Sequence, residues 1–288
     1  MTQLWLPPLR HGARVILACR SEEKTVPVVE EIRKETGNDQ VEFMALDIGS
    51  LQSVKEFASA FRAKGLPLHI LLNNAAVMAC PYSLTEDGLE MQFGTNHIGH
   101  FYLTSLLFDL LDQAQPARIV TVSSMAHKWW SPAEGIHFET INDEAGYAWT
   151  KSYGQSKLAN ILFTRELSRR TAGRKIFPNT LHPGGVNTDV NRHLFGRLPG
   201  WLNSIVTPLS GLWLYSAAQG ALTQLYLATS PEVEETDTRG QFYVPIAKKS
   251  SPLAAALDDV LALKLWDFSV SLLKEKVPDF EVPESLRS

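Results

Sequence analysis

The 288-residue chain has little cysteine, no strong excess of either charge and no long hydrophobic run. Its two cysteines, Cys19 and Cys80, lack the spacing of metal ligands, so we expect reduced thiols in an intracellular protein and no metal site. A formal net charge of -4 argues against a nucleic-acid-binding surface, because such a surface needs a basic stripe. No apolar run reaches the length of about 20 residues that a membrane-spanning helix requires.

One apolar stretch, WLNSIVTPLSGLWLYSAAQGAL, is the part of the sequence best suited to contact a membrane surface. Pro208 and Gly211 interrupt it, so we interpret it as a loop or short helices that cover a pocket. A cytoplasmic and a membrane-associated location are both left open, and so is peripheral membrane contact.

Apolar β-branched runs alternate with helical patterns along the whole chain. ARVILAC predicts a strand buried on both faces, and the helix after it should end at Gly37 and begin near Thr25, because Pro27 belongs in a first turn. Further strands are predicted at VEFMALDIG, LHILLNNAA, ARIVTVSS, KIFPNTLHPGG and GQFYVPI, and further helices at SLQSVKEFASAFRAKG and about 86–113, 150–170, 217–229 and 257–274. This alternation predicts a single α/β domain over residues 1–288, with a doubly wound parallel sheet.

Small or polar residues follow four of the predicted strands, namely Asp47, Asn73 with Asn74, Ser123 with Ser124, and the HPGG segment at 182–185. Ligands of such sheets bind beyond the carboxyl ends of the strands, so these residues predict a cleft along one edge. Each of them alone could be an ordinary turn or cap residue, since Asx and Ser residues favour turns.

The stretch SYGQSKLAN places Tyr153 and Lys157 four residues apart on a predicted helix, so both side chains face the same way. A neighbouring cation favours a phenolate, and we therefore expect Lys157 to lower the pKa of Tyr153. The phenol could then exchange a proton with an alcohol or a carbonyl, while Ser124 holds the substrate oxygen. The alternative is a solvated lysine beside a half-buried tyrosine, but the preceding Ser-Ser strand end favours the catalytic interpretation.

Taken together, the motifs resemble the short-chain dehydrogenase/reductase family, in its retinol-dehydrogenase-like and WW-domain-oxidoreductase-like branch. The matching stretches are GARVILACR, LDIGSLQSVKEF, LHILLNNAAVM, TNHIGHFYLT, RIVTVSSMAH, SYGQSKLANILFTREL and LHPGGVNTDV, in that order between about residues 12 and 190. The resemblance implies a Rossmann-like fold and hydride transfer with a nicotinamide cofactor.

The resemblance also implies the catalytic roles. Tyr153 would be the acid and base, and Lys157 would lower its pKa and hold the nicotinamide ribose. Ser124 rather than Ser123 would orient the substrate oxygen. Asn96 would kink the long helix and hold a water of the proton relay, although without the family match it would be an ordinary polar helix residue.

The cofactor-binding residues implied by the resemblance lie at the ends of three strands. They are Asp47 and Ile48 at the adenine, Asn74 and Ala75 at its ribose, and Pro183, Gly184, Val186 and Thr188 at the nicotinamide. Arg20 offers a fork suited to a 2′-phosphate, with Ser21 beside it, which favours NADP over NAD. The alternative for Arg20 is a surface charge.

The family begins with a strand and a glycine-rich turn, whereas RHGARVILACR resembles the end of the first helix followed by the second strand. The sequence therefore predicts an N-terminally truncated version of the fold.

Two hypotheses about function follow. One is an NADP-dependent oxidoreductase for a small apolar alcohol or carbonyl, with a pocket near residues 186–215 and candidate walls at Trp129 and Trp130. The other is a non-catalytic remnant that acts as an interaction module, and a homodimer through the two long helices is left open.

Overall fold

A computed structural model describes residues 12–185 and 215–287 of the chain. The strands are β1 Val15–Cys19, β2 Val41–Ala45, β3 Ile70–Asn73, β4 Ala117–Val122, β5 Ile176–Leu181, β6 Phe242–Val244 and β7 Lys248–Lys249. The helices are α1 Glu22–Thr36, α2 Leu51–Ala63, α3 Gly99–Gln113, α4 Ala126–Trp129, α5 Trp149–Arg170, α6 Ala217–Thr229, α7 Glu232–Glu235 and α8 Asp259–Lys276. Within the described ranges, none of the helices has the length and apolar character needed to cross a bilayer.

The strands and helices form the predicted α/β architecture, with parallel pairing between all neighbours except the antiparallel pair β6 and β7. Five strands follow the order β3-β4-β5-β6-β7, and β1 pairs with β2 in a separate two-stranded sheet. Because the paired strands run in parallel, the carboxyl ends of β3, β4 and β5 lie at one edge of the larger sheet. Those of β1 and β2 likewise share one edge of the smaller sheet.

The division into two sheets falls between β1 and β3, and the described residues place no strand between them. On one face a single core joins both sides, since Ile16 and Ala18 of β1 pack against the cluster that contains Leu71 of β3. On the other face the cores are separate: Val15 packs near α1, and Val120 lies in the cluster beside α6. The two sheets therefore share one layer of helices and are independent on the opposite side.

Helix α1 begins at Glu22, so the prediction that it starts near Thr25 was wrong. Ser21 caps it by accepting a hydrogen bond from the Lys24 amide at 3.3 Å, and Thr25 Oγ1 donates to the Ser21 carbonyl at 2.7 Å. These bonds hold the first turn, so the helix begins before Pro27, which lies inside it and has no amide hydrogen to donate. The predicted end is confirmed, because Gly37 adopts a φ of 68° and its amide donates to the Arg33 carbonyl.

The long helix begins at Met91 rather than near Glu86, which corrects a second predicted boundary. The carboxylate of Glu90 accepts hydrogen bonds from the amides of Gln92 at 3.0 Å and Phe93 at 2.7 Å. A π-helical segment, Gly94–Ile98, follows the first turn and leads into α3. The acidic cap at Glu90 sets the start of the helix. Hydrophobic periodicity alone could not distinguish the first helical turn from the turn that precedes it.

Gly99 allows the start of α3 to lie directly against the loop after β2. A Cβ atom at this position would lie 2.0 Å from the Ile48 carbonyl oxygen, which is far inside van der Waals contact. Because the obstacle is backbone, a side chain here would have to displace the whole loop. Gly99 therefore sets the distance between the long helix and the end of β2.

We expect Gly99→Ala to destabilise the fold by roughly 3 kcal/mol, because overpacking against backbone cannot be relieved by a rotamer change. Gly94→Ala is the matched control, since the nearest atoms to its Cβ would be Leu89 Cβ at 3.0 Å and Thr85 Cγ2 at 3.1 Å, where a shift of a few tenths of an ångström suffices. Thermal and urea unfolding of both variants measure the difference. Equal stability loss in the two variants would show that the Ile48 carbonyl does not limit this position.

Candidate active site

The predicted cleft residues lie at the strand ends. Asn74 and Ala75 are exposed directly after β3, and Asp47 lies beyond β2 with 45% of its side chain exposed. Ser123 and Ser124 follow β4, and Pro183 and Gly184 follow β5. The parallel pairing of β3, β4 and β5 thus collects side chains separated by more than 100 residues at one edge.

Tyr153 and Lys157 lie on α5 and are almost fully buried, with exposed fractions of 6% and 1%. The Lys157 Nζ atom is 5.6 Å from the centre of the Tyr153 ring. A hydrogen bond joins the hydroxyl of Ser124 to the Tyr153 phenol. The structure therefore brings together the three residues that the sequence singled out for proton transfer.

The two serines after β4 have different partners. Ser123 donates its hydroxyl to the Lys157 carbonyl at 2.7 Å, which ties the strand end to the middle of α5. Ser124, in contrast, is turned towards the phenol of Tyr153. The geometry thus leaves Ser124, rather than Ser123, as the serine that could hold a substrate oxygen.

Burial controls the electrostatics of the pair. It raises the pKa of Tyr153 to about 12, while the hydrogen bond from Ser124 acts in the opposite direction. It also lowers the pKa of Lys157 from its ordinary value of 10.5 to about 7. The phenol's pKa therefore reflects its burial, and the expectation that Lys157, with a cationic ring beside it, lowers this pKa stays a prediction.

Asn96 lies inside the π-helical segment, at the irregularity that the sequence predicted. Its side chain accepts from the Val77 amide at 2.8 Å and donates to the Val77 carbonyl and to Ser156 Oγ, both at 3.0 Å. Its own carbonyl accepts from His100 Nδ1 at 3.0 Å. Asn96 thus connects the loop after β3 to α5, and the water-holding role stays a prediction.

Arg20 and Asp47 lie next to each other beyond β1 and β2, with 4.0 Å between Nη1 and Oδ2. The pair is more than one-third exposed on both sides, so it contributes little to stability. Asp47 Oδ1 accepts from the Gly49 amide at 2.9 Å, and Ile48 between them is buried. Ser21 is occupied as the cap of α1. The arrangement leaves the Arg20 guanidinium accessible to an anion.

The nicotinamide end of the predicted site is only partly described. Gly184 adopts a φ of 89°, and a Cβ atom there would lie 2.4 Å from the ring of Tyr215. The predicted contacts of Val186 and Thr188, and most of the predicted pocket segment 186–215, lie outside the described residues.

Of the two predicted tryptophan walls, Trp130 is the one that contacts Tyr153, with ring centres 6.1 Å apart. Trp130 also packs edge-on against Trp149, whereas Trp129 is 69% exposed. Gly154 permits this packing, because a Cβ atom there would lie 2.5 Å from the Trp130 carbonyl carbon. A glycine directly after the candidate tyrosine was the signal in the sequence, and sequence reasoning missed it.

Two buried polar residues that the sequence analysis overlooked hold the start of α5. Gln92 accepts from the Ala79 amide at 3.1 Å and donates to the Tyr147 hydroxyl and the Trp149 carbonyl, both at 3.0 Å. Glu90 accepts from the Ser152 hydroxyl at 2.5 Å, and burial raises the pKa of its carboxyl group. These bonds determine where Tyr153 enters the site.

Comparison with known proteins agrees with this geometry. Residues 8–135 match the family model of the short chain dehydrogenases. The chain is 40% identical to human retinol dehydrogenase 14 over 282 residues, which covers 92% of this chain and 81% of that protein. It is 38% identical over 272 residues to the WW domain-containing oxidoreductase of Gallus gallus, covering 93% of this chain and 64% of that protein.

Among solved structures, an uncharacterised protein from Mycobacterium paratuberculosis superposes with a TM-score of 0.73 at 33% identity, covering 98% of this chain and 90% of that chain. Together with the fold and the Ser-Tyr-Lys constellation, these similarities show that the chain belongs to the short-chain dehydrogenase/reductase family, oxidoreductases that act on CH–OH groups with NAD(P).

Proposed function

We propose that the protein interconverts an apolar alcohol and the corresponding carbonyl, using NADP. The observation that carries this proposal is the buried Tyr153 phenol, which is hydrogen-bonded to Ser124 and has Lys157 one helical turn away. A proton donor beside a hydroxyl that can hold an oxygen is what carbonyl reduction needs. The cofactor, when bound, supplies or accepts the hydride.

The chain's own residues handle the proton and the substrate oxygen. Ser124 donates a hydrogen bond to the substrate oxygen and keeps it within reach of the Tyr153 hydroxyl. Tyr153 gives its proton to that oxygen in the reductive direction and takes it back in the oxidative one. A phenol whose pKa is raised to about 12 is protonated at neutral pH, so it holds the proton that reduction needs. The raised pKa also makes it a weaker acid, so proton transfer calls for neighbouring positive charge that lowers this pKa.

NADP is favoured over NAD by the position of Arg20. Its guanidinium is 67% exposed beyond β1, and it can pair with a 2′-phosphate through two parallel hydrogen bonds. Asp47, Asn74 and Ala75 at the neighbouring strand ends would hold the adenosine. Arg20 would have to leave only its weak 4.0 Å contact with Asp47.

The substrate is proposed to be a small apolar alcohol or carbonyl. The wall beside Tyr153 consists of Trp130, Trp149, Met78 and Ala126, which form one apolar cluster with the tyrosine. Such a surface binds apolar groups and leaves Ser124 and Tyr153 as the polar groups that orient the reacting oxygen. A relative named as a retinol dehydrogenase is consistent with this substrate class.

The gap between β1 and β3 bears on cofactor binding, because the pyrophosphate would cross it on the way from Arg20 to Tyr153. We propose that a strand and a glycine-rich turn of the kind the family resemblance implies would fit there and supply amides for the pyrophosphate. The divided sheet also favours a second candidate, a form that binds cofactor poorly and serves as an interaction module.

Adding a strand and a glycine-rich turn of the kind that begins the fold of this family to this chain should tighten NADPH binding at least tenfold. The physical reason is that the added backbone amides and helix N-terminus attract the pyrophosphate. Fluorescence titration of both chains with NADPH measures the change. Equal NADPH affinity of the extended and the original chain would contradict the proposal that such a strand and turn fit between β1 and β3.

Tyr153→Phe should lower kcat by roughly 10²–10⁴-fold, because it removes the proton donor, while NADPH affinity stays nearly the same. Tyr82→Phe is the control, since it also removes one phenol, whose hydroxyl donates to the Asn142 carbonyl at 2.8 Å. Steady-state kinetics with an apolar carbonyl and NADPH test both variants. A Tyr153→Phe enzyme as active as the parent would refute the assigned role.

Arg20→Gln should weaken NADPH binding roughly tenfold and leave NADH binding unchanged, since only NADPH carries the 2′-phosphate. Titration with each cofactor gives the comparison. If both affinities fall together, Arg20 does not select the cofactor.

Lys157→Met should abolish turnover and yet stabilise the fold at pH 7 by about 2–4 kcal/mol. The folded pKa is about 7 and the ordinary value is 10.5, so between these pH values the unfolded chain binds more protons than the folded one. The parent's stability should therefore rise with pH across this window, and that of the variant should not. Urea unfolding at pH 7, 8, 9 and 10 tests whether the variant and the parent become closer in their free energy of unfolding as the pH rises. A constant difference in this free energy would contradict the lowered pKa of Lys157.

A further inference from the structure

His127, three residues after Ser124, is completely buried and uses both of its ring nitrogens. Nδ1 lies 2.5 Å from the Ser124 carbonyl oxygen, and Nε2 lies 3.2 Å from the Leu253 amide. A carbonyl can only accept and an amide can only donate, so Nδ1 carries the hydrogen and Nε2 is bare. The two partners therefore select one neutral tautomer of the ring.

The ring holds Ser124 from one side and a distant segment from the other. The His127 amide also donates to the Ser124 carbonyl, at 3.2 Å, so this carbonyl receives two bonds from one residue. Leu253 is 126 residues further along the chain, just before the short helical turn Ala254–Leu257. Phe242 of β6 packs edge-on against the ring at 5.0 Å, which fixes its plane.

We propose that His127 is a positioning residue that keeps the Ser124 hydroxyl directed at Tyr153. This inference rests on the proposed function, since it concerns the same serine. Within residues 12–185 and 215–287, the Ser124 hydroxyl oxygen accepts from the Ala126 amide at 3.2 Å, inside its own turn. The ring, through its bonds to the Ser124 carbonyl and from the Leu253 amide, thus ties the serine's own backbone to a distant segment. Ser123 ties only the residue before it, to α5 and β5.

Burial supports a ring that stays neutral, because it lowers the pKa of His127 to about 4. The charged and titratable neighbours are Lys128 and His182, and neither supplies an anion that would favour protonation. The donor at Nδ1 and the acceptor at Nε2 are therefore both retained at physiological pH.

A purely structural role would be to attach the segment at Leu253 to the core. Two substitutions separate the roles, because the amide nitrogen of asparagine falls near Nδ1 and the amide oxygen of glutamine falls near Nε2. His127→Asn can keep the bond to the Ser124 carbonyl and loses the one from the Leu253 amide. His127→Gln keeps the second bond and loses the first.

We expect His127→Gln to lower kcat roughly 10- to 100-fold with the KM for NADPH within about threefold, because a small misplacement of a catalytic group is costly. His127→Asn should keep most of kcat. Adding His127→Gln to Ser124→Ala should cause no further loss of kcat, since its effect acts through the serine. Kinetics of the full chain with NADPH and an apolar carbonyl measure all four proteins.

Asn38→Ala is the control for stability. Its side chain also joins two backbone segments, by donating to the Ala13 carbonyl at 2.9 Å and accepting from the Gln40 amide at 2.8 Å, before the first residues of β1 and β2. Asn38→Ala should lower the melting temperature by about as much as the His127 substitutions do, and it should leave kcat unchanged.

Three results would overturn the inference. Equal losses of kcat in His127→Asn and His127→Gln, a further loss in the Ser124→Ala background, or parent-like kcat in His127→Gln would each assign His127 a structural role, while the proposed function stands. An inactive parent chain would instead refute the proposed function itself, and the positioning role with it.

Discussion

The burial of Lys157 against the end of β4 is the constraint on which the site depends. Its ammonium donates to the Val122 carbonyl at 3.1 Å, and its own carbonyl accepts from Ser123 at 2.7 Å. These reciprocal bonds fix α5 to the strand that carries Ser124, and so fix the distance between the serine and Tyr153. A buried ammonium lowers the stability of the fold, so Lys157 destabilises the protein at the position where its proposed catalytic role requires it.

The polar groups around α5 form a support that is almost as buried as the apolar core. Glu90 and Gln92 hold its first turn, and Asn96 holds Ser156 one turn before Asn160, which shares the Val122 carbonyl with Lys157. Each of these bonds replaces contacts with water, so losing one partner would leave another buried and unpaired. The site is therefore well supported at the proton-transfer end, whereas Arg20, at the proposed cofactor end, is open to solvent.

The divided sheet and the proposed cofactor path are two aspects of the same geometry. Helices α2 and α3 pack against each other, and their core holds β1 and β3 together on one face, while the opposite face contains two separate cores. A dinucleotide that reaches from Arg20 to Tyr153 must cross between the two sheets. Cofactor affinity should thus depend on what lies between β1 and β3, and proton transfer on α5 together with the end of β4.

The sequence by itself determined the alternation of strands and helices, the polar strand ends, and the shared face of Tyr153 and Lys157. These follow from local spacing, which sets which side chains share a face. Local patterns could not place the helix starts at Glu22 and Met91, because caps decided them. Only the tertiary structure decided the raised pKa of Tyr153, the tautomer of His127, and the contacts that require glycine at 99 and 154. Desolvation and close packing arise between segments far apart in the chain, and no short pattern of residues records them.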